Sequence, residues 1–138
     1  MTVSTRTTFP IYTARYSNRT IAASGLTAIR ITLGAPRFRL PYSIAETDKR
    51  FAPSREIFHT HDRAIFEPAM REQLDRELGD RALDVLRGYD EAHGTNGLVL
   101  LCFEDLRKPG VWCHRQIVAA WIEERFGMVV PELPETEA

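Results

Sequence analysis

The sequence predicts a small α/β protein, a three-layer sandwich built on a mostly parallel sheet of roughly four strands. Three observations carry that expectation. Leu98–Phe103 is an unbroken apolar run led by Gly97, as a strand covered on both faces requires. A stretch with one apolar stripe and then a short β-type segment follow it, so residues 97–130 read as strand, loop, helix and strand, a βαβ unit. Two earlier runs rich in β-branched and aromatic residues supply further strands.

Taken in order, residues 1–8 are polar and read as a loose end. Phe9–Thr13 and Thr27–Leu33 are the two early strands. Residues 34–63 are rich in Pro, Arg and aromatics and fit no period, so they read as a long ordered loop, a class of segment that tends to be functional. Pro68 suits the first turn of a helix running to about Leu78, which Gly79 closes. Asp80 can cap the next helix, where Leu83, Leu86 and Tyr89 recur at three-residue spacing and Gly94 ends the pattern. The last helix begins near Cys113. Ile117, Val118, Trp121, Ile122 and Phe126 form its stripe, and Gly127 stops it. Met128–Val130 is the fourth strand, and the acidic tail Pro131–Ala138 is a second loose end. The whole is expected to be a single domain with its core at about residues 9–130.

Composition bounds the function. With 138 residues, 43% of them hydrophobic, the chain can bury one real core, which argues against disorder and against a disulfide-stapled miniprotein. No apolar run approaches the roughly 18–20 residues that span a bilayer, and the polar N-terminus lacks the apolar region of a secretory signal. A cytoplasmic protein without membrane contact is expected, and in that setting Cys102 and Cys113 read as reduced thiols. The net charge of -1 conceals a split. Residues 1–55 carry nine Lys/Arg against two Asp/Glu, a balance of +7, and residues 56–138 carry nine against seventeen, a balance of -8. All the basic residues except Lys49 and Lys108 are Arg, which reflects either a GC-rich genome or the fit of guanidinium forks to phosphates and carboxylates.

Ligands of open α/β folds sit beyond the carboxyl ends of the parallel strands. Tyr12, Arg15 and Tyr16 follow the first strand, Arg37 the second, and Glu104 and Asp105 the third, which leads on to Cys113-His114-Arg115 at a helix start. A cysteine in a helix's first turn feels the positive end of the dipole, which lowers its pKa from about 8.5 toward 7 when a cation is near. Cys113 is therefore a candidate nucleophile with His114 beside it, and Arg115 with the helix N-terminus a candidate anion pocket. The competing reading makes Cys113 a small buried cap and pairs Arg115 with Glu104 or Asp105. Glu104 suits a general acid/base or a salt bridge to Arg30 or Arg115. Arg30, inside an apolar strand, must find a partner or reach the strand end. Zinc would have Cys102, Cys113, His114 and His93 to draw on, but neither C-x2-4-C nor H-x3-5-H spacing occurs, so no metal and no cofactor is expected. Cys102 through Arg107 faintly echoes a phosphate-cradling cysteine loop, which Glu104 and Asp105 would spoil by repelling the anion. His59-Thr60-His61 reads as solvated loop.

Leu98-Val99-Leu100-Leu101-Cys102-Phe103-Glu104-Asp105 followed by Trp112-Cys113-His114-Arg115 resembles the domain-of-unknown-function family 488, with its apolar strand ending in Cys-aromatic-Glu and its later Cys-His-Arg. Ile11-Tyr12-Thr13-Ala14-Arg15-Tyr16 and the segment from Ile29 to Arg37 resemble that family's opening strands, so the likeness runs over roughly residues 9–130 and across the charge split. Many relatives carry Asp-Val-Arg where this chain has Ala28-Ile29-Arg30, which keeps the Arg and lacks the acid. The resemblance implies a small single-domain α/β protein of bacterial or phage origin and the position of a site, but no reaction.

Three functions remain open on these residues. One is a protein that binds or acts on an anionic, phosphate-bearing, nucleotide-like small molecule, held by Arg15, Arg30, Arg37 and Arg115 with Tyr12 and Tyr16, with Cys113, His114 or Glu104 reacting. A second is a nucleic-acid-binding module, in which Tyr12, Tyr16, Phe38, Tyr42 and Phe51 among the arginines of the basic half would stack bases. The third is a protein-interaction module without chemistry. Nothing in the sequence fixes the oligomeric state.

Overall fold

The computed structural model describes residues 9–135. Its elements in chain order are β1 (Ile11–Arg15), α1 (Ile21–Ser24), β2 (Thr27–Arg30), β3 (Ile44–Thr47), α2 (Arg55–Phe58), α3 (Arg63–Glu77), α4 (Ala82–Ala92), β4 (Leu98–Cys102) and α5 (His114–Phe126), with short 3-10 turns at Lys49–Phe51 and Gly79–Arg81. The four strands form one all-parallel sheet in the order β1-β4-β2-β3, the α/β class expected. Leu98 of β4 lies between Ile11 and Thr27, and all five residues of that central strand are buried. Gly97 enters the strand at φ +108, and a Cβ there would stand 2.7 Å from the Pro10 carbonyl oxygen, so no larger residue fits.

The period of two divides the core. Ile11, Ile29, Ile31, Leu98 and Leu100 face α3, α4 and α5, whose Met70, Leu74, Leu86, Ile117, Val118 and Ile122 complete the larger cluster. Ala14, Ala28, Val99 and Leu101 face the other way, where Tyr16, Ile21 and Leu133 cover them with help from Leu40 and Tyr42. This second layer is thin, a four-residue helix with loop and tail segments. Trp121 ties α5 to α3 through its indole N–H, which donates to Asp75 at 2.8 Å.

Several elements differ from expectation. The 34–63 region holds β3, α2 and the 3-10 turn, and is not a continuous loop. β3 is an edge strand with no buried residue, so its four positions carry no apolar alternation to read. α3 begins five residues before Pro68, capped by Asp62, whose side chain accepts from Ala64 N–H. Asp80 lies within a 3-10 turn and Arg81 occupies the N-cap of α4. Met128–Val130 is not a strand. The parallel partner of β1 arrives later, as a single bridge from Thr13 to Glu132, with Thr13 N–H donating to Pro131 O and Leu133 N–H to Thr13 O. Residues 131–135, expected to be loose, are docked: Asn18 and Thr20 donate to the Leu133 and Pro134 carbonyls, and Arg15 pairs with Glu135. The expectation for residues 1–8 and the end of the tail lies outside the described residues. Among the described residues no helix is long and apolar enough to cross a membrane.

Candidate functional site

The chain narrows around a cavity of about 660 Å³ at the carboxyl ends of β2 and β4, beside the start of α5. Thr32, Leu33 and Gly34 leave β2 along one side, Cys102, Phe103 and Glu104 leave β4 along another, and Trp112, Cys113 and His114 close the third. The remaining wall is Pro53, Phe58, Thr60 and His61 with Phe66 of α3. Gln73, buried on α3, holds that wall in place. Its amide accepts from Ser54 N–H and donates to the Arg50 and Ala52 carbonyls. Phe66 meets Trp112 edge-to-face at 5.0 Å, with the Arg63 guanidinium over the indole. Phe103 rests on Tyr16 at 4.8 Å, yet both it and Phe58 remain exposed, at 43% and 56%. The rim is thus apolar and aromatic, a surface that water covers poorly.

The floor carries the chemistry. Cys102 ends β4, Cys113 is the N-cap of α5, and the two are joined in a disulfide, so the expectation of reduced thiols is corrected. The pairing follows from the fold, because α5 starts beside the end of the strand that the 103–112 loop has just left. Cys113 sits one position before the first helical turn, its N–H donating to the Gln116 side chain at 3.0 Å. His114, the first residue of α5, is 7% exposed. Its Nε2 lies 2.6 Å from the Ile31 carbonyl oxygen, which can only accept, so Nε2 carries the proton. Nδ1 is left with its lone pair, 3.2 Å from Cys102 Sγ and 3.9 Å from Cys113 Sγ. Burial pushes the imidazole down to about 4. The Ile31 hydrogen bond opposes that fall and the adjacent Arg115 charge adds to it.

The other candidate residues stand apart. Glu104 is exposed on the cavity wall, and neither Arg30 nor Arg115 reaches it as the competing readings supposed. Arg115, fully buried, forms a two-pronged pair with Glu132 at 3.0 and 2.7 Å, on the β1 side of α5. Its Nη1 has no hydrogen-bond partner among the described residues. Arg15 pairs with Glu135 and approaches Asp105, and the Glu135 hydrogen bond raises its pKa. Arg30 donates to the Thr32 and Leu33 carbonyls, tying down the end of β2, and Arg37 is exposed away from the cavity wall. Tyr16 is buried. Its hydroxyl donates to Thr32, whose own proton goes to the Gly34 carbonyl, so it braces the cavity from behind. Tyr12 packs half-buried against the second core cluster, and Phe51 lies in the first. His93 belongs to a distant pair with Glu46.

The sequence reading missed Phe58, Thr60, His61, Phe66 and Trp112 as cavity residues. For Phe58, Thr60 and His61 the signal was the aromatic-rich, aperiodic 34–63 stretch; Phe66 and Trp112 lie outside it and meet the cavity only through the fold. No protein-family model, curated protein or solved structure matches the chain.

Proposed function

We propose that the protein is a thiol–disulfide centre that binds a small molecule with an apolar or aromatic body at the carboxyl edge of its sheet. The observation that carries this reading is the bonded Cys102–Cys113 pair on the cavity wall, with the unprotonated Nδ1 of His114 3.2 Å from Cys102 Sγ. A substrate thiolate entering the cavity attacks Cys113 Sγ. The disulfide breaks and Cys102 leaves with the electron pair as a thiolate, beside which His114 Nδ1, 3.2 Å away, takes up a proton from solvent and pairs with it. A second substrate thiol then attacks the mixed disulfide, releasing an oxidised substrate disulfide and a reduced Cys113, whose sulfur gains from the positive end of α5. The balance is two substrate thiols oxidised for one protein disulfide reduced, and the reverse direction is equally open. In a cytoplasmic setting, which the sequence favours, such a bond is usually transient, either catalytic or redox-sensing.

The anionic, nucleotide-like ligand expected from the arginines has less support. Arg15 and Arg115 are held by carboxylates, Arg30 by carbonyls, and the Glu104 carboxylate lies on the cavity wall instead. The resemblance to family 488 implies no reaction and bears on position alone, since Cys102, Glu104, Cys113 and His114 all belong to the motif that carries it.

The test is the rate at which thiols reduce the folded protein. Benzyl mercaptan is expected to react about tenfold faster than anionic mercaptoethanesulfonate at equal thiolate concentration, and His114→Asn to slow it by about 100-fold. Equal rates for both thiols and for the variant would make the bond a structural staple.

A further inference from the structure

We propose that, once the bond is opened, Cys102, Cys113 and His114 form a three-ligand site for a zinc-class divalent ion whose fourth position faces the cavity. The inference rests on the redox reading only in requiring that the bond open in the folded chain.

The three ligand atoms already lie within 4.8 Å of one another, and all three residues are buried. A tetrahedral zinc ion, with Zn–S of about 2.3 Å and Zn–N of about 2.0 Å, sets each S···N separation at about 3.5 Å. The two separations here, 3.2 and 3.9 Å, bracket that value, so the ion requires only that the sulfurs move apart. The Cys102 and Cys113 Cα atoms are 7.3 Å apart, wider than the roughly 4.4–6.8 Å usual across a disulfide. His114 is oriented as a ligand would be, because its Nε2–H is anchored on the Ile31 carbonyl and its Nδ1 lone pair points at the sulfurs. Two soft thiolates and an imidazole suit zinc better than magnesium or calcium.

Motif spacing hides this site. The ligands are separated as Cys102, Cys113 and His114, outside the usual paired spacings, and they meet only because β4 ends where α5 begins. With three protein ligands on a cavity wall, the fourth position is left for a ligand from the cavity, the arrangement of a catalytic and not a structural zinc. Binding is balanced by loss of the two thiol protons to solvent. A disulfide-class oxidant RSSR reverses it, taking two electrons as the Cys102–Cys113 bond re-forms, leaving as two thiolates and releasing the ion.

The experiment uses the full chain, reduced with a phosphine and then freed of it under anaerobic conditions, and titrated with Co²⁺ alone and then Zn²⁺ alone. Expected are one ion per chain, intense tetrahedral ligand-field bands with thiolate-to-cobalt charge transfer, displacement of Co²⁺ by Zn²⁺, and binding weakened about 100-fold in His114→Ala. The oxidised wild-type chain is the control that needs no variant to fold, and it must not bind. A weak octahedral spectrum, or equal binding by the oxidised chain, overturns the site. Thiol exchange is measured in parallel with a metal chelator present. A protein that exchanges with benzyl mercaptan but gives no cobalt–thiolate bands sinks the metal site alone. A bond that opens to phosphine and never to thiols, in a chain that still binds Co²⁺, sinks the exchange reading and supports the metal site.

Discussion

His114 and Arg115 are neighbours on the first turn of α5, both buried, and they serve opposite sides of it. On the β2 and β4 side, His114 joins two cysteines against an open aromatic cavity. On the β1 side, Arg115 meets Glu132, which also accepts from Thr13 and lies next to the Arg15–Glu135 pair in the docked tail. The first side leaves reactive atoms facing a space. The second engages its charges with one another and closes the sheet edge. Of the arginines expected to hold an anion, Arg15 and Arg115 lie on the second side and are paired with carboxylates, whereas the first side carries the Glu104 carboxylate. A buried arginine must be compensated within the fold, so it reports a partner more readily than a ligand.

The largest effect should come from breaking the second side. Glu132→Ala leaves the Arg115 charge buried and unpaired and is expected to cost about 3–5 kcal/mol in urea unfolding, while the folded fraction keeps its rate of thiol exchange. A loss of exchange beyond the loss of folded protein would mean that the two sides act together. Next comes pH. His114 titrates near 4 when folded against 6.5 ordinarily, so the unfolded chain takes up its proton first as the solution is acidified. The stability tied to the neutral ring is therefore whole above about 6.5 and falls toward pH 4, by on the order of 3 kcal/mol. Unfolding midpoints across that window should fall less steeply in His114→Gln, and equal slopes would show that the ring is not buried in neutral form.

Gln73→Ala tests the cavity wall. It strips partners from Ser54 N–H and the Ala52 carbonyl and should cost about 1–3 kcal/mol, with the benzyl mercaptan rate falling as the 53–61 wall loosens. An unchanged rate would remove that wall from the site. The smallest effect is expected of Arg15→Ala, a partly exposed ion pair worth about 0–1 kcal/mol, with exchange unaltered. Inorganic phosphate that binds the protein and is lost in this variant would restore the anion reading and undo the contrast.

How much of this was legible depends on where each residue finds its partner. β4 could be read because both of its faces are buried, and α5 because its stripe packs on one core and Gly127 ends it at φ +66. β3 could not, since its four residues, Ile44 to Thr47, are only partly buried and their two apolar residues are adjacent instead of alternating. Glu132 lies in an acidic, proline-flanked segment that resembles a free tail. Its carboxylate is held by Thr13, 119 residues earlier, and by Arg115. The site was half visible. Cys113, His114 and Glu104 were marked by position after the strand, but the choice of Cys102 as a partner and the aromatic wall needed the fold to bring 53–66 and 112 alongside.

The most direct test equilibrates the folded chain in glutathione buffers of graded redox poise, quenches the thiols and maps the Cys102–Cys113 linkage by mass. Reversible interconversion of two forms differing by two hydrogens, without loss of native structure, is the predicted result. A linkage that never forms, or that opens only when the chain unfolds, would contradict a redox centre at the start of α5.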